Sequence, residues 1–306
     1  MDMTCVNEIV STADPNQWQP GDAWLAGGTV LYSYGIDLQI GRPKRLLDLH
    51  AAGWPALEWD GQRLRIAATC KVAELYRLGR TPEHVLAELT GQLPQHPGLD
   101  LIAPCCDSFV ASFKIWNMST VGGNVATALP AGPMTSLLAG WDAVAEIHAQ
   151  DGAVRHQPVA EVVTGEAKHT LSNGELIRAF DIDAAVLQQP SAFRRISLTE
   201  RGRSAVLLIA RDIGDRIMRL AITAGTVHPI MVDIPIDAVD PAELTDLIDE
   251  YVPHNAWTTD IHGAPAWRRA MTARLTQELI EELFPGTIPD AADRDSGDIT
   301  LKGANS

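Results

Sequence analysis

Two glycine pairs in this chain have the residue types and neighbours to hold an anion. One lies in Thr120-Val121-Gly122-Gly123-Asn124-Val125-Ala126-Thr127 and the other in Trp24-Leu25-Ala26-Gly27-Gly28-Thr29-Val30-Leu31. Paired glycines let a backbone approach a ligand closely and take positive φ at little cost. Successive free N–H groups in such a turn form an anion-binding concavity. Thr120, Asn124 and Thr127 add short polar side chains around the first of these pairs. We read the two turns as converging on one phosphate-bearing cofactor. Neither is a GxGxxG fingerprint after a strand, and there is no GxxxxGK[ST] loop.

The flanking residues say how the turns are positioned. Ala23 to Ala26 reads as a short buried strand. Val30 to Ile36 reads as the start of a helix, so the dipole and unpaired N–H groups favour an anion there. Arg45 to Leu49 predicts a strand. Asp60-Gly61 marks a hairpin between Leu57–Trp59 and Arg63–Ala68. Thr69 is the expected cap of a helix carrying Val72, Leu75 and Leu78, with Gly79 at its end. Thr81-Pro82 predicts a helix over 83–90, and residues 91–98 form a Pro/Gly link. One apolar helix is expected over Leu99–Phe113. Beyond the second glycine pair come a helix (Met134–Ala139), a strand (Asp142–Ile147), a turn at Asp151-Gly152 and a strand after Asn173-Gly174. After Gln188-Gln189-Pro190 the pattern changes. Ala192–Leu198 reads as a strand, and Gly214-Asp215 joins Val206–Ala210 to Ile217–Ile222 as a hairpin. Two helices follow, one starting at Pro241 and one with Trp267, Met271, Leu275, Leu279 and Leu283 as an apolar stripe.

Length, at 306 residues, suits one large domain or two to three smaller ones. A net charge of −15 argues against nucleic acid and anionic membranes as partners. No run of about 18 apolar residues is present, so no membrane span is expected. The N-terminus lacks the basic-then-apolar pattern of a secretion signal. Cys5, Cys70, Cys105 and Cys106 form no CxxC pair or Cys/His ligand set, and free thiols of a cytoplasmic chain are expected. No metal site and no catalytic triad is read from the sequence. The histidines are scattered, and Glu74 and Glu175 read as solvated charges.

The two glycine turns with their flanks resemble the FAD-binding subunit of the molybdenum hydroxylases, the xanthine dehydrogenase and aerobic carbon monoxide dehydrogenase family. Ala26-Gly27-Gly28-Thr29 matches that family's AGGT-type loop. Trp116 to Asn124 resembles its second loop, R-N-x-[AG]-T-[VI]-G-G-N, and reads Trp116-Asn117-Met118-Ser119-Thr120-Val121-Gly122-Gly123-Asn124. Weaker matches are Leu64 to Thr69, Gly174-Glu175-Leu176-Ile177, Phe193-Arg194-Arg195 and Trp267 to Met271. Together they cover about Trp18 to Leu283. Departures are Trp116 for the usual arginine, Pro133 for the usual acid, Leu129 for a small residue and Val30 for a polar one.

The resemblance implies an α+β chain with a PCMH/VAO-type FAD-binding domain (residues 1–187) of two α/β subdomains, about 1–56 and 57–187. A C-terminal domain of antiparallel sheet and helices (188–284) and a loose tail (285–306) complete it. It also implies the cofactor contacts: Trp24, Leu25, Ala26, Gly27, Gly28, Thr29, Val30, Leu31, Thr120, Val121, Gly122, Gly123, Asn124 and Thr127 at the diphosphate and adenosine half. Ile177 and Arg194 fall near the flavin ring. The implied function is electron transfer through FAD, from 2Fe-2S clusters of a small partner to an external acceptor: NAD, a quinone or oxygen. Substrate is then oxidised on a large molybdenum-cofactor subunit. Two other readings fit the residues: a free-standing FAD-dependent oxidoreductase acting on a small molecule, and a flavin-free scaffold of the same fold.

Overall fold

The computed structural model describes residues 5–34, 43–80, 96–240 and 243–287. The helix expected over 83–90, the Pro241 helix start and residues 288–306 of the expected tail lie outside them. A small parallel sheet comes first, with β1 (Glu8–Ser11), β2 (Asp22–Leu25) and β3 (Arg45–Asp48) in the order β1-β3-β2. Central β3 buries Leu46 and Leu47. The Arg45 guanidinium clasps Asp22 across β2 and β3. β1 was not anticipated, because no turn signal bounds it and its Ile9 points to solvent. β2 feeds the first glycine pair and then α1 (Leu31–Tyr34).

A second sheet is wholly antiparallel. Its hairpin of β4 (Leu57–Trp59) and β5 (Arg63–Ala67) turns at Asp60, whose Oδ1 accepts from the N–H groups of Gln62 and Arg63. β6 (Val144–His148) and β7 (Val154–Pro158) are its far edge. A minor hairpin follows, β8 (Val163–Gly165) with β9 (Lys168–His169). β10 (Leu176–Asp183) lies in the centre, giving β4-β5-β10-β6-β7.

The helices that cover this sheet carry the second glycine pair. α2 (Val72–Arg80) starts differently from expectation. The N–H of Lys71 donates to the Glu74 carboxylate at 2.8 Å, and that of Val72 to the Ser119 carbonyl at 3.0 Å, so Thr69 is not the cap. Gly79 lies inside α2, because a Cβ there would come within 2.8 Å of the Ile102 side chain. The expected helix 99–113 is shortened to α3 (Ile102–Asp107), preceded by a 3₁₀ turn over Pro97–Leu101, and a separate α4 (Phe113–Met118) begins where it was expected to end. Ser108 ends α3 by donating its hydroxyl back to the Cys105 carbonyl at 2.7 Å, a local bond that competes with the next helical turn. α5 (Val121–Thr127) and α6 (Pro133–Gly140) follow.

The C-terminal sheet is a meander of β11 (Ser191–Ile196), β12 (Val206–Asp212), β13 (Ile217–Thr223) and β14 (Ile230–Pro235). The apolar run of β12 is explained by burial on both faces. Leu207, Ile209 and Ala221 join the main core, whereas Val206, Leu208, Leu220 and Ile222 join a second core under α7 (Leu244–Tyr251) and α8 (Pro265–Leu283). Fully buried Arg268 of α8 ties this unit together by donating to the carbonyls of Gly263, Ala205 and Ala224 and to Asp260. Among the described residues no helix is long and apolar enough to cross a membrane. All four cysteines are free. Burial raises the Cys70 and Cys105 thiols and pushes Cys106 up to about 12.

Arginine partners hold several carboxyls below their usual range: Arg45 for Asp22, Arg155 for Glu175, Arg219 for Asp233 and Arg269 for Asp249. A carboxyl depressed by folding stabilises the native state fully above its ordinary value, 3.8 for Asp or 4.5 for Glu, and loses that contribution as pH falls through the folded value. The melting temperature should therefore hold from neutral pH down to about 5 and fall steeply below about 4. Scanning calorimetry across that range checks it, and a melting temperature that rises on acidification would contradict it.

Candidate functional site

The first glycine pair sits where a parallel strand hands over to a helix. Leu25 and Ala23 of β2 face a small core with Leu31 and Leu46, which fixes the strand end and the helix start. Gly28 takes φ +69°, and its missing Cβ leaves room for the Tyr32 ring. Among the described residues, the N–H groups of Gly27, Gly28, Thr29, Val30 and Leu31 donate to no protein acceptor. The Trp24 indole N–H is likewise buried without a partner. This stretch keeps the free donors that the sequence led us to expect.

The second pair is built otherwise, and the structure corrects the turn reading. Gly122 and Gly123 are the second and third residues of α5 and neither has positive φ. Thr120 is the N-cap, its hydroxyl accepting from Gly123 at 3.0 Å. The N–H groups of Val121 and Gly122 donate to the carbonyls of Cys70 and Ala68 at 2.9 Å each. Asn124 donates its N–H to the Thr120 carbonyl. The early donors of α5 are thus used inside the protein and form no free nest. Gly122 is required for a different reason, since a Cβ would fall 2.8 Å from the Ala68 carbonyl oxygen. Thr127 bonds back to Gly123, and Asn124 Oδ1 accepts from the Met134 N–H at the start of α6. Pro133 opens that helix, a position where no N–H is needed.

The two stretches meet. A Cβ on Gly27 would stand 2.8 Å from the carbonyl carbon of Met118 and overlap its oxygen, so the first loop lies directly on the backbone preceding Thr120. Thr29 Oγ1 and Ser119 Oγ share a hydrogen bond of 3.1 Å across the seam. Lys71 reaches the same place, with Nζ 3.5 Å from the Met118 carbonyl and 2.6 Å from His50 Nε2. Sequence reading singled out neither Lys71 nor His50 for this place; Lys71 is brought to the second loop by its pairing with Thr120, and His50 reaches it through a side-chain hydrogen bond.

The remaining expected site residues lie elsewhere. Ile177 is buried in the main core at the bulged start of β10. It is linked to α5 through the neighbouring Arg178, whose carbonyl accepts from Ala68. Arg194 on β11 is not brought to the loop seam. Its guanidinium pairs with Glu278 and Glu282 of α8 at 3.1 and 2.7 Å. Trp116 donates to the Phe109 carbonyl at 3.0 Å and meets Tyr76 edge-on, so it fills a structural niche. A separate cavity of about 940 Å³ lies between Val159, Val163, Arg219, His228, Met231 and Tyr251. Its Arg219 is already held by Asp142 and Asp233.

A sequence model of the FAD binding domain in molybdopterin dehydrogenase matches residues 4–183. A search of curated proteins returns no match. Among solved structures, quinoline 2-oxidoreductase from Pseudomonas putida 86 superposes with TM-score 0.71 at 18% identity, covering 94% of this chain and 100% of that one. Reconstituted CO dehydrogenase from Oligotropha carboxidovorans gives 0.70 at 18%, covering 90% and 96%. The Hydrogenophaga pseudoflava carbon monoxide dehydrogenase that lacks the Mo-pyranopterin moiety gives 0.69 at 16%, with the same coverage. At these identities the likeness is one of fold.

Proposed function

The chain belongs to the family of FAD-binding domains in molybdopterin dehydrogenases, and from that premise we propose that it is the flavoprotein subunit of a molybdenum hydroxylase-type dehydrogenase. The observation that carries this reading is the seating of Gly27 on the Met118 backbone, which makes one site of two loops. FAD, when bound, supplies the redox chemistry, and the chain supplies binding and electrostatics. The residues present fit that cofactor. Gly27 to Leu31 offer consecutive free N–H groups to a diphosphate. Trp24, Leu25 and Ala26 set the strand end from which those donors project. Thr120, Val121, Gly122, Gly123, Asn124 and Thr127 act mainly as the rigid floor, because their polar groups are satisfied within the fold. Ile177 and Arg194 are proposed for the ring end, where Glu278 and Glu282 fix the arginine.

In this role the chain stands between a small 2Fe-2S subunit and an external acceptor, with substrate oxidised on a large molybdenum subunit. Native affinity purification followed by flavin, molybdenum and iron analysis tests the reading. We expect FAD at one per chain, together with metal-bearing partner chains. A yellow chain that purifies alone and turns over a small substrate would instead establish a free-standing flavoenzyme. A folded, colourless chain that fails to take up added FAD would overturn both.

A further inference from the structure

A dinucleotide diphosphate brings negative charge into this site, and the two loops oppose it with backbone N–H groups but with no formal positive charge. Residues 24–31 and 120–127 contain no lysine or arginine, in a chain of net charge −15. One cation does reach the seam. Lys71 sits in the turn between β5 and α2, and its backbone is bonded to the second loop on both sides. The N–H of Val72 donates to Ser119 and that of Val121 to Cys70. Its Nζ donates to the carbonyl of Met118, the group on which Gly27 rests.

The ammonium is aimed from the other side too. His50 Nε2 accepts from Lys71 Nζ at 2.6 Å, and Nδ1 donates to Asp48 Oδ1 at 2.9 Å. That arrangement assigns the neutral Nδ1–H tautomer to His50. Asp48 ends β3 and pairs in register with Leu25 at the end of β2, so the relay is anchored to the strand that carries the first loop. An ammonium has three donor hydrogens. Two are used by His50 and Met118, and among the described residues the third has no acceptor. Glu74 is the nearby competing carboxylate, and its Oε2 is taken by the Lys71 backbone N–H.

We propose that Lys71 is the cationic contact for the FAD diphosphate, positioned at the loop seam by His50 and Asp48. The proposal rests on the flavin-binding reading above. Burial lowers the Lys71 pKa and the nearby Glu74 and Asp48 carboxylates offset only part of that, so an incoming phosphate oxygen would compensate the rest.

The test uses flavin-fluorescence titration of the flavin-stripped full chain with FAD and with riboflavin, which lacks the diphosphate. A hydrogen bond to a charged group predicts that Lys71→Gln weakens FAD binding by about 10- to 100-fold and leaves riboflavin binding unchanged. Lys71→Arg should keep most of the affinity, and His50→Ala should lose part of it. In the wild-type chain, added NaCl should weaken FAD binding more than riboflavin binding. This last measurement needs no variant to fold. Equal FAD affinity in Lys71→Gln and wild type, or equal salt response for the two ligands, overturns the proposal while the flavin reading stands. Failure of the wild-type chain to bind FAD at all removes the flavin reading and the proposal together.

Discussion

Gly27→Ala should yield a protein that purifies with little or no FAD and melts well below wild type. The added methyl group has nowhere to go. It would lie within 2.8 Å of the Met118 carbonyl carbon and 3.0 Å of the Ser119 Cα, and neither is the end of a flexible side chain. Overpacking against movable side chains costs about 1–3 kcal/mol. Here the neighbour is backbone held by α4 and by the Lys71–Thr120 pairing, so the loops must separate instead. Separation breaks the Thr29–Ser119 bond and turns the free donors away from the second loop. Flavin-to-protein ratio by absorbance, with melting temperature alongside, measures the effect. A matched control is Leu220→Ala in the second core, which should cost about 2–5 kcal/mol yet keep its flavin. If Gly27→Ala retains FAD as well as Leu220→Ala does, the two-loop site is wrong.

The same kind of contact ranks the other glycines. An added Cβ at Gly123 meets only the Thr120 hydroxyl, at 2.9 Å. Gly122 meets the Ala68 Cβ and backbone between 2.5 and 2.9 Å. Loss of flavin should therefore rank Gly27 and Gly122 above Gly123. The sequence offers Gly122 and Gly123 only as an equivalent pair in a free turn.

What the sequence made legible was local. Asp60-Gly61 and Gly214-Asp215 announced their hairpins because each turn is set by its own side chains and glycine φ, +92° at both Gly61 and Gly214. The α8 stripe was readable because Leu275 and Leu279 repeat at helical spacing and both are buried. Of the two glycine pairs, only the first keeps its free donors. The conformation of Gly122-Gly123 is decided by the carbonyls of Ala68 and Cys70, some fifty residues earlier in the chain, and no local pattern reports them. For the same reason the Asp48–His50–Lys71 relay was invisible. β14 escaped because its hydrophobic alternation follows Pro229 with no hairpin signal, although Asp233 meets Arg219 on the neighbouring strand.

The second large effect separates two arginines that share one carboxylate. Arg211 and Arg219 both bind Asp142, but Arg211 is 1% exposed while the Arg219 side chain is 33% exposed. Arg211 also donates to the Gly140 carbonyl at 2.6 Å and to Gln189, joining β12 to the end of α6. Its Arg211→Met replacement leaves that buried carbonyl and part of Asp142 unpaired. Breaking a buried pair of this kind costs about 3–5 kcal/mol. Arg219→Met loses bonds to Asp142 and Asp233, both partly in water, which are worth about 0–1 kcal/mol. At about 2–4 °C per kcal/mol the difference is plain in a melting curve. The consequence reaches the site, because the opposite end of α6 is the helix start that holds Asn124 through the Met134 N–H. Arg211→Met should therefore also speed flavin loss from the native protein below its melting point, whereas Arg219→Met should not. Equal melting temperatures for the two variants would show that burial does not decide between these pairs, and that the C-terminal sheet is not what braces the floor of the loop site.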